Sequence, residues 1–271
     1  MIRAALYYIP QSGRQDPQMA VAESEKLKTL SVMGLPVHQS EDYVGWLRRR
    51  VEQRQGTHVV TLNAEMCMQA QQDPQLRQFI EKADLVAPDG SGIELYFRLQ
   101  GRSAIAAAVP SIRRYPGIEL AADLLESLGP NQKVAFYGGK PEVVAAAADR
   151  WRARSPQLNL AIVQHGYAKG PALDQFLTDL KQVQPDLIFV GLGVPRQEFW
   201  IAEHRHLCPQ AVWIGVGGSY DIWSGMKARA PQWMRSAHLE WLYRLYQEPW
   251  RWRRMLALPQ FAWAALWYPS R

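Results

Sequence analysis

Short apolar runs rich in branched residues alternate with amphipathic helical stretches along most of this chain. That alternation restricts it to a parallel sheet with helices on both faces. The runs "HVVTL" (58–62), "DLVAP" (84–88), "KVAFYGG" (133–139), "NLAIVQHG" (159–166), "DLIFVGLG" (186–193) and "AVWIGVGG" (211–218) read as buried strands. Between them, 74–83, 141–151, 172–183 and 195–205 carry helical periodicity. In 172–183, Leu173, Phe176, Leu177, Leu180 and Val183 form one stripe. The fold expected is α/β, a Rossmann-like parallel sheet followed by a helical, basic, Trp-rich C-terminal appendage. Three regions are expected: a flexible N-terminal extension over 1–28, an α/β domain over 29–226, and the appendage over 227–271.

An apolar fraction of 48% supports a sizeable core. The two cysteines, Cys67 and Cys208, are too far apart in sequence for a metal-ligand spacing, and they fit a reducing compartment. The apolar run from Ala4 stops at Pro10, too short for a secretory leader. No apolar stretch approaches the roughly 20 residues that span a bilayer. The protein is therefore expected to be soluble or peripheral.

In such sheets ligands bind beyond the carboxyl ends of the strands. Five of those ends are unusual: Thr61-Leu62-Asn63, Asp89-Gly90-Ser91-Gly92, Tyr137-Gly138-Gly139, Gly191-Leu192-Gly193 with Pro195-Arg196-Gln197-Glu198, and Gly215-Val216-Gly217-Gly218. Glycine there lets backbone approach a phosphate, and a following helix start adds positive charge. Each glycine cluster taken alone would also serve as a tight turn. Asp89 is the candidate acid/base group, although Asp-Gly is equally a turn pair. Asn63 could bind ligand or cap the helix after it. Gln197 could donate to a sugar or phosphate oxygen, whereas Glu198 is expected to stabilise its helix start. "GVGGSY" lacks the third glycine of a dinucleotide fingerprint. No Asp-x-Asp pair is present to hold a metal on a diphosphate, which favours arginine as the neutralising group. No metal and no cofactor are expected. His204 and His206 fall on different helix faces.

The net charge of +6 is unevenly placed. From Lys227 onward there are eight basic residues and two acids, so the tail alone carries an excess equal to the whole. Seven of the eleven tryptophans lie at or beyond Trp223. Arginine with indole suits an anionic membrane surface, with core or subunit packing and nucleic-acid stacking as the alternatives weighed against it. No nucleic-acid partner is expected.

The blocks "TLNAEM" (61–66), "APDGSGIEL" (87–95), "GLGVPRQEFWI" (191–201), "GVGGSYDIWSG" (215–225) and "RAPQWMRSAHLEWLYRLYQEPWRWRR" (229–254) together resemble the WecG/TagA/CpsF family of bacterial glycosyltransferases. The resemblance runs from about residue 30 to about residue 256. It implies inverting, metal-independent transfer of N-acetylmannosamine or a related sugar from a UDP-sugar to a polyprenyl-diphosphate-linked acceptor, at the cytoplasmic membrane face, in cell-surface polysaccharide synthesis. It implies Asp89 as base and Thr61, Asn63 and Gln197 as substrate contacts. It also implies that Arg229, Arg244, Arg251 and Arg254 reach the diphosphate and the membrane. Gly90, Gly138, Gly193 and Gly217 complete the expected binding set. Self-association is a further expectation. Where members usually carry Thr-Pro-Asn, this chain has Thr61-Leu62-Asn63. A non-catalytic nucleotide-binding module recruited to membranes is the alternative; a dinucleotide oxidoreductase is disfavoured by the missing glycine.

Overall fold

The computed structural model describes residues 27–100 and 115–268. The extension expected over 1–28 lies outside the described residues except for its last two, and Lys28 already opens the first strand. That strand, β1 (Lys28–Val32), pairs antiparallel with β2 (Leu35–Gln39). The turn between them places Met33 and Gly34 at φ 51° and 79°. Two positive φ angles match the right-handed twist of a tight hairpin.

The main sheet contains β3 (Thr57–Leu62), β4 (Leu85–Pro88), β5 (Lys133–Gly138), β6 (Asn159–Gln164), β7 (Leu187–Gly191) and β8 (Val212–Gly215), ordered β4-β3-β8-β7-β5-β6 and parallel throughout. Successive side chains leave a strand on opposite faces. Thus Val59, Phe136, Phe189 and Ile214 join one core layer, while Tyr137, Val190 and Trp213 join another. Every residue of β7 is buried, as a strand covered on both faces requires. The free edge of β4 is covered: the Val86 N–H donates to His38 Nδ1 at 2.8 Å, from β2.

The helices are α1 (Tyr43–Glu52), α2 (Ala64–Gln72), α3 (Pro74–Glu81), α4 (Gly90–Gln100), α5 (Gly117–Ser127), α6 (Pro141–Arg154), α7 (Pro171–Val183) and α8 (Arg196–His204). Their starts follow local chemistry. Asp42 and Asp73 accept from backbone N–H groups of the first turns of α1 and α3, and Pro74, Pro141 and Pro171 occupy first-turn positions.

Beyond β8 come α9 (Ser219–Trp223), α10 (Gln232–Ser236), α11 (Glu240–Gln247), α12 (Trp252–Met255) and α13 (Ala257–Trp267). His238 sits at φ 61° between α10 and α11, so the two short helices do not run together. The last helix packs against the α/β body. Phe261 and Ala265 are each 1% exposed and share a core with Met66, Ile93 and Tyr96.

Candidate active site

The chain reverses its direction of sheet growth around β3 and β8, whose carboxyl ends therefore open a crevice. Thr61, Asn63, Asp89, Gln197 and Gly217 line one cleft there. Tail residues Arg229, Arg244 and Arg251 close its other side. An adjoining recess is lined by Gly90, Asp89, Trp241 and Arg254.

Each body residue is held by the sheet. Asn63 caps α2, its Oδ1 accepting from the Met66 N–H at 3.0 Å. The Asp89 N–H donates to the Leu62 carbonyl at 2.8 Å, which ties the end of β4 to that of β3. Asp89 is half-buried at the cleft. Gly90 follows at φ 79°, a conformation that favours glycine and lets α4 turn away at once. Gly117 packs on Thr61: a Cβ there would lie 3.0 Å from the Thr61 side chain.

Gln197 is 3% exposed, and both ends of its amide are engaged within the protein. Its Oε1 accepts from the Gly217 N–H at 2.9 Å, and its Nε2 donates to Glu198 Oε1 at 3.1 Å. The Gly217 amide therefore faces Gln197. Glu198 is 1% exposed, and burial pushes its carboxyl up to about 7. Glu198 does lie in the first turn of α8, as the helix-start reading expects, and its burial reduces the charge it can offer the helix there.

The tail arginines are paired with carboxylates. Arg244 meets Glu240 at 3.0 Å, Arg251 meets Glu248 at 2.8 Å, and Arg254 meets Glu65 at 2.5 Å. Arg229 lies 2.6 Å from Glu119 and 3.7 Å from Glu240. Lys227 bridges Asp221 and Glu248 at 3.2 and 3.1 Å. The cleft is thus lined by four cations (Lys227, Arg229, Arg244, Arg251) and four carboxylates (Asp89, Asp221, Glu240, Glu248). Its cations are oriented by neighbouring carboxylates, and the site as a whole is balanced in charge.

Gly138 and Gly193 do not line the cleft. A Cβ at Gly138 would fall 2.4 Å from the Gly191 carbonyl oxygen, so this glycine allows close approach of β5 to β7. Gly193 sits at φ 74° in a turn. Lys227, Glu240, Tyr243, Gln247 and Glu248 line the site but were not among the expected residues. A signal for two of them was present. Glu240 and Glu248 are the only acids in the basic tail, four and three residues before Arg244 and Arg251.

A family model described as "Glycosyl transferase WecG/TagA/CpsF family" matches residues 30–271. Three relatives carry the name N-acetylglucosaminyldiphosphoundecaprenol N-acetyl-beta-D-mannosaminyltransferase. The protein of Bacillus spizizenii is 37% identical over 217 residues, which cover 80% of this chain and 81% of that protein. The Bacillus subtilis (strain 168) protein is 32% identical over 242 residues, covering 87% and 90%. That of Staphylococcus aureus (strain MW2) is 33% identical over 204 residues, covering 75% and 77%.

Proposed function

The chain belongs to the WecG/TagA/CpsF family of glycosyltransferases, and we propose that it moves N-acetylmannosamine, or a closely related sugar, from a UDP donor onto a polyprenyl-diphosphate-linked N-acetylglucosamine acceptor. The observation that carries this reading is the meeting of Asp89, Thr61 and Asn63 with Arg229, Arg244 and Arg251 around one cleft. A base and a set of cations are what displacement of a sugar from a diphosphate requires.

In this reading the acceptor hydroxyl gives its proton to the Asp89 carboxylate, and its oxygen bonds to the anomeric carbon. The bond from that carbon to the diphosphate oxygen breaks, UDP leaves with the electron pair, and the anomeric configuration inverts. The arginines neutralise the growing charge on UDP without a metal ion. The guanidinium suits this work because one edge can hold a carboxylate while other N–H groups reach phosphate.

The tail also supports docking on the inner face of the cell membrane. Trp233, Tyr246, Trp250, Trp252, Trp263 and Trp267 are each more than half exposed, beside Arg253 and Arg254. No helix among the described residues is long and apolar enough to cross a membrane. Indole and arginine together suit the headgroup zone.

A panel of UDP-sugars assayed against polyprenyl-diphosphate-N-acetylglucosamine tests the reaction. Turnover with UDP-N-acetylmannosamine is expected. Tight UDP binding without turnover of any donor would favour the non-catalytic module instead. For docking, the variant Trp250→Ala/Trp252→Ala is expected to bind vesicles containing anionic phospholipid at least about tenfold more weakly, from lost apolar burial. Unchanged vesicle binding would oppose the membrane reading. Loss of a dimer in sedimentation, with vesicle binding intact, would assign the face to a second copy.

A further inference from the structure

Glu198 is an expensive residue to keep. It is 1% exposed, its Oε2 has no hydrogen-bond partner, and no ion pair reaches it among the described residues. A buried carboxyl in that condition destabilises a fold relative to an apolar side chain of similar volume. Packing alone therefore does not account for it.

Its surroundings point to a task. Oε1 accepts from the Gln197 amide, 3.1 Å away. An amide can present either end to a neighbour. Here Glu198 Oε1 accepts from Nε2 on one side and the Gly217 N–H, 2.9 Å away, donates to the carbonyl end on the other, so both contacts hold the amide in one orientation. Gly217 itself stands at φ 51° on the wall of the cleft. The strand end before it is shaped to receive the pair. A Cβ at Gly215 would lie 2.3 Å from Gln197 Nε2 and 3.0 Å from Glu198 Oε1.

We propose that Glu198 is a positioning residue for nucleotide-sugar binding: it orients the Gln197 amide, and Gln197 holds the Gly217 turn that walls the cleft. This rests on reading the cleft as a nucleotide-sugar site. Glu198 acts through Gln197 and does not line the cleft. The elevated carboxyl affinity for protons fits the role, since a neutral acid keeps one acceptor oxygen for Gln197 without burying an unpaired charge. The proton then belongs on Oε2, the oxygen without a partner.

Three variants test it. Glu198→Gln keeps shape and acceptor, Glu198→Leu keeps volume but removes the acceptor, and Gln197→Ala removes the residue through which the effect passes. Glu198→Leu is expected to raise the UDP-sugar KM and the UDP Kd about tenfold, the scale of one lost buried hydrogen bond, with a smaller change in kcat. Its Tm should not fall. Glu198→Gln should stay within about twofold of the parent. In the Gln197→Ala background, Glu198→Leu should add no further loss. Parental affinity in Glu198→Leu, equal losses in the Gln and Leu variants, or additive losses in the double variant would each overturn the proposal. A ligand-free measurement separates this from the functional reading. Hydrogen exchange at the Gly217 amide should be slow in the parent and in Glu198→Gln, and faster in Glu198→Leu. Equal protection in all three overturns the positioning role, whereas a parent that fails to bind UDP but shows this exchange pattern sinks the nucleotide-sugar reading alone.

Discussion

At the residue scale, the placement of Asp89 depends on its own backbone as much as on its side chain. Its N–H is tied to the Leu62 carbonyl, so the carboxyl shares a mount with Thr61 and Asn63 from the next strand. In its proposed role as base, Asp89 contributes to the transition state far more than to ground-state binding. Asp89→Asn is therefore expected to lower single-turnover transfer about 100-fold or more. UDP affinity should stay within about threefold, because the amide keeps the shape and the hydrogen-bonding reach of the acid. Transfer within tenfold of the parent would remove Asp89 from the base role. The arginines differ in kind. Arg244 and Arg251 are held by Glu240 and Glu248, and a ligand must add to those pairs or exchange with them.

At the element scale, the decisive contact is the one between α13 and the body. Phe261 lies against Tyr96 with ring centroids 6.1 Å apart, in a core that includes α2 and α4. Phe261→Ala should lower the stability of the whole domain by about 3–5 kcal/mol, the range for a large buried aromatic. One cooperative urea transition with a lower midpoint is expected. A parental midpoint would show α13 to be dispensable. The strands were legible in sequence because both faces are buried, which leaves short, nearly unbroken apolar runs. The β1–β2 hairpin was not, since its turn places Met33 at positive φ, where the recognised signal is Asn or Gly. Helix α4 was masked by its weak opening, Gly90-Ser91-Gly92. At the site, body residues were legible as strand ends, and the tail arginines through the family resemblance. Their carboxylate partners were harder to see. Arg229 and Glu119 are 110 residues apart in the chain, and Arg254 and Glu65 are 189 apart. Periodicity carries no information over such distances.

At the scale of the whole molecule, two buried groups give pH dependences of opposite sign. His58 in β3 is 3% exposed, and burial with Arg205 nearby pushes its imidazole down to about 4. The unfolded chain binds that proton more readily, so this group's contribution is intact above about 6.5 and is lost as pH falls to 4. Glu198 runs the other way. Its folded carboxyl, raised to about 7, binds a proton more tightly than the unfolded chain does. Its contribution is intact below about 4.5 and is lost as pH rises through 7. Each is on the order of 3 kcal/mol, from a shift of about 2.5 pH units. Between roughly pH 4.5 and 6.5 one slope offsets the other, and these two groups together leave stability nearly flat. Glu198→Gln removes only one side of the balance. Its stability relative to the parent should rise steadily from pH 4.5 to 7 and stay high above that, because the parent alone buries an ionised carboxylate there. Urea midpoints for both proteins from pH 4 to 8 give that difference directly, with every group common to the two cancelling. A constant offset would mean that Glu198 titrates alike in the folded and unfolded chains. A difference growing through this window would place its proton in the folded state, held there by burial against the opposing pull of the Gln197 amide.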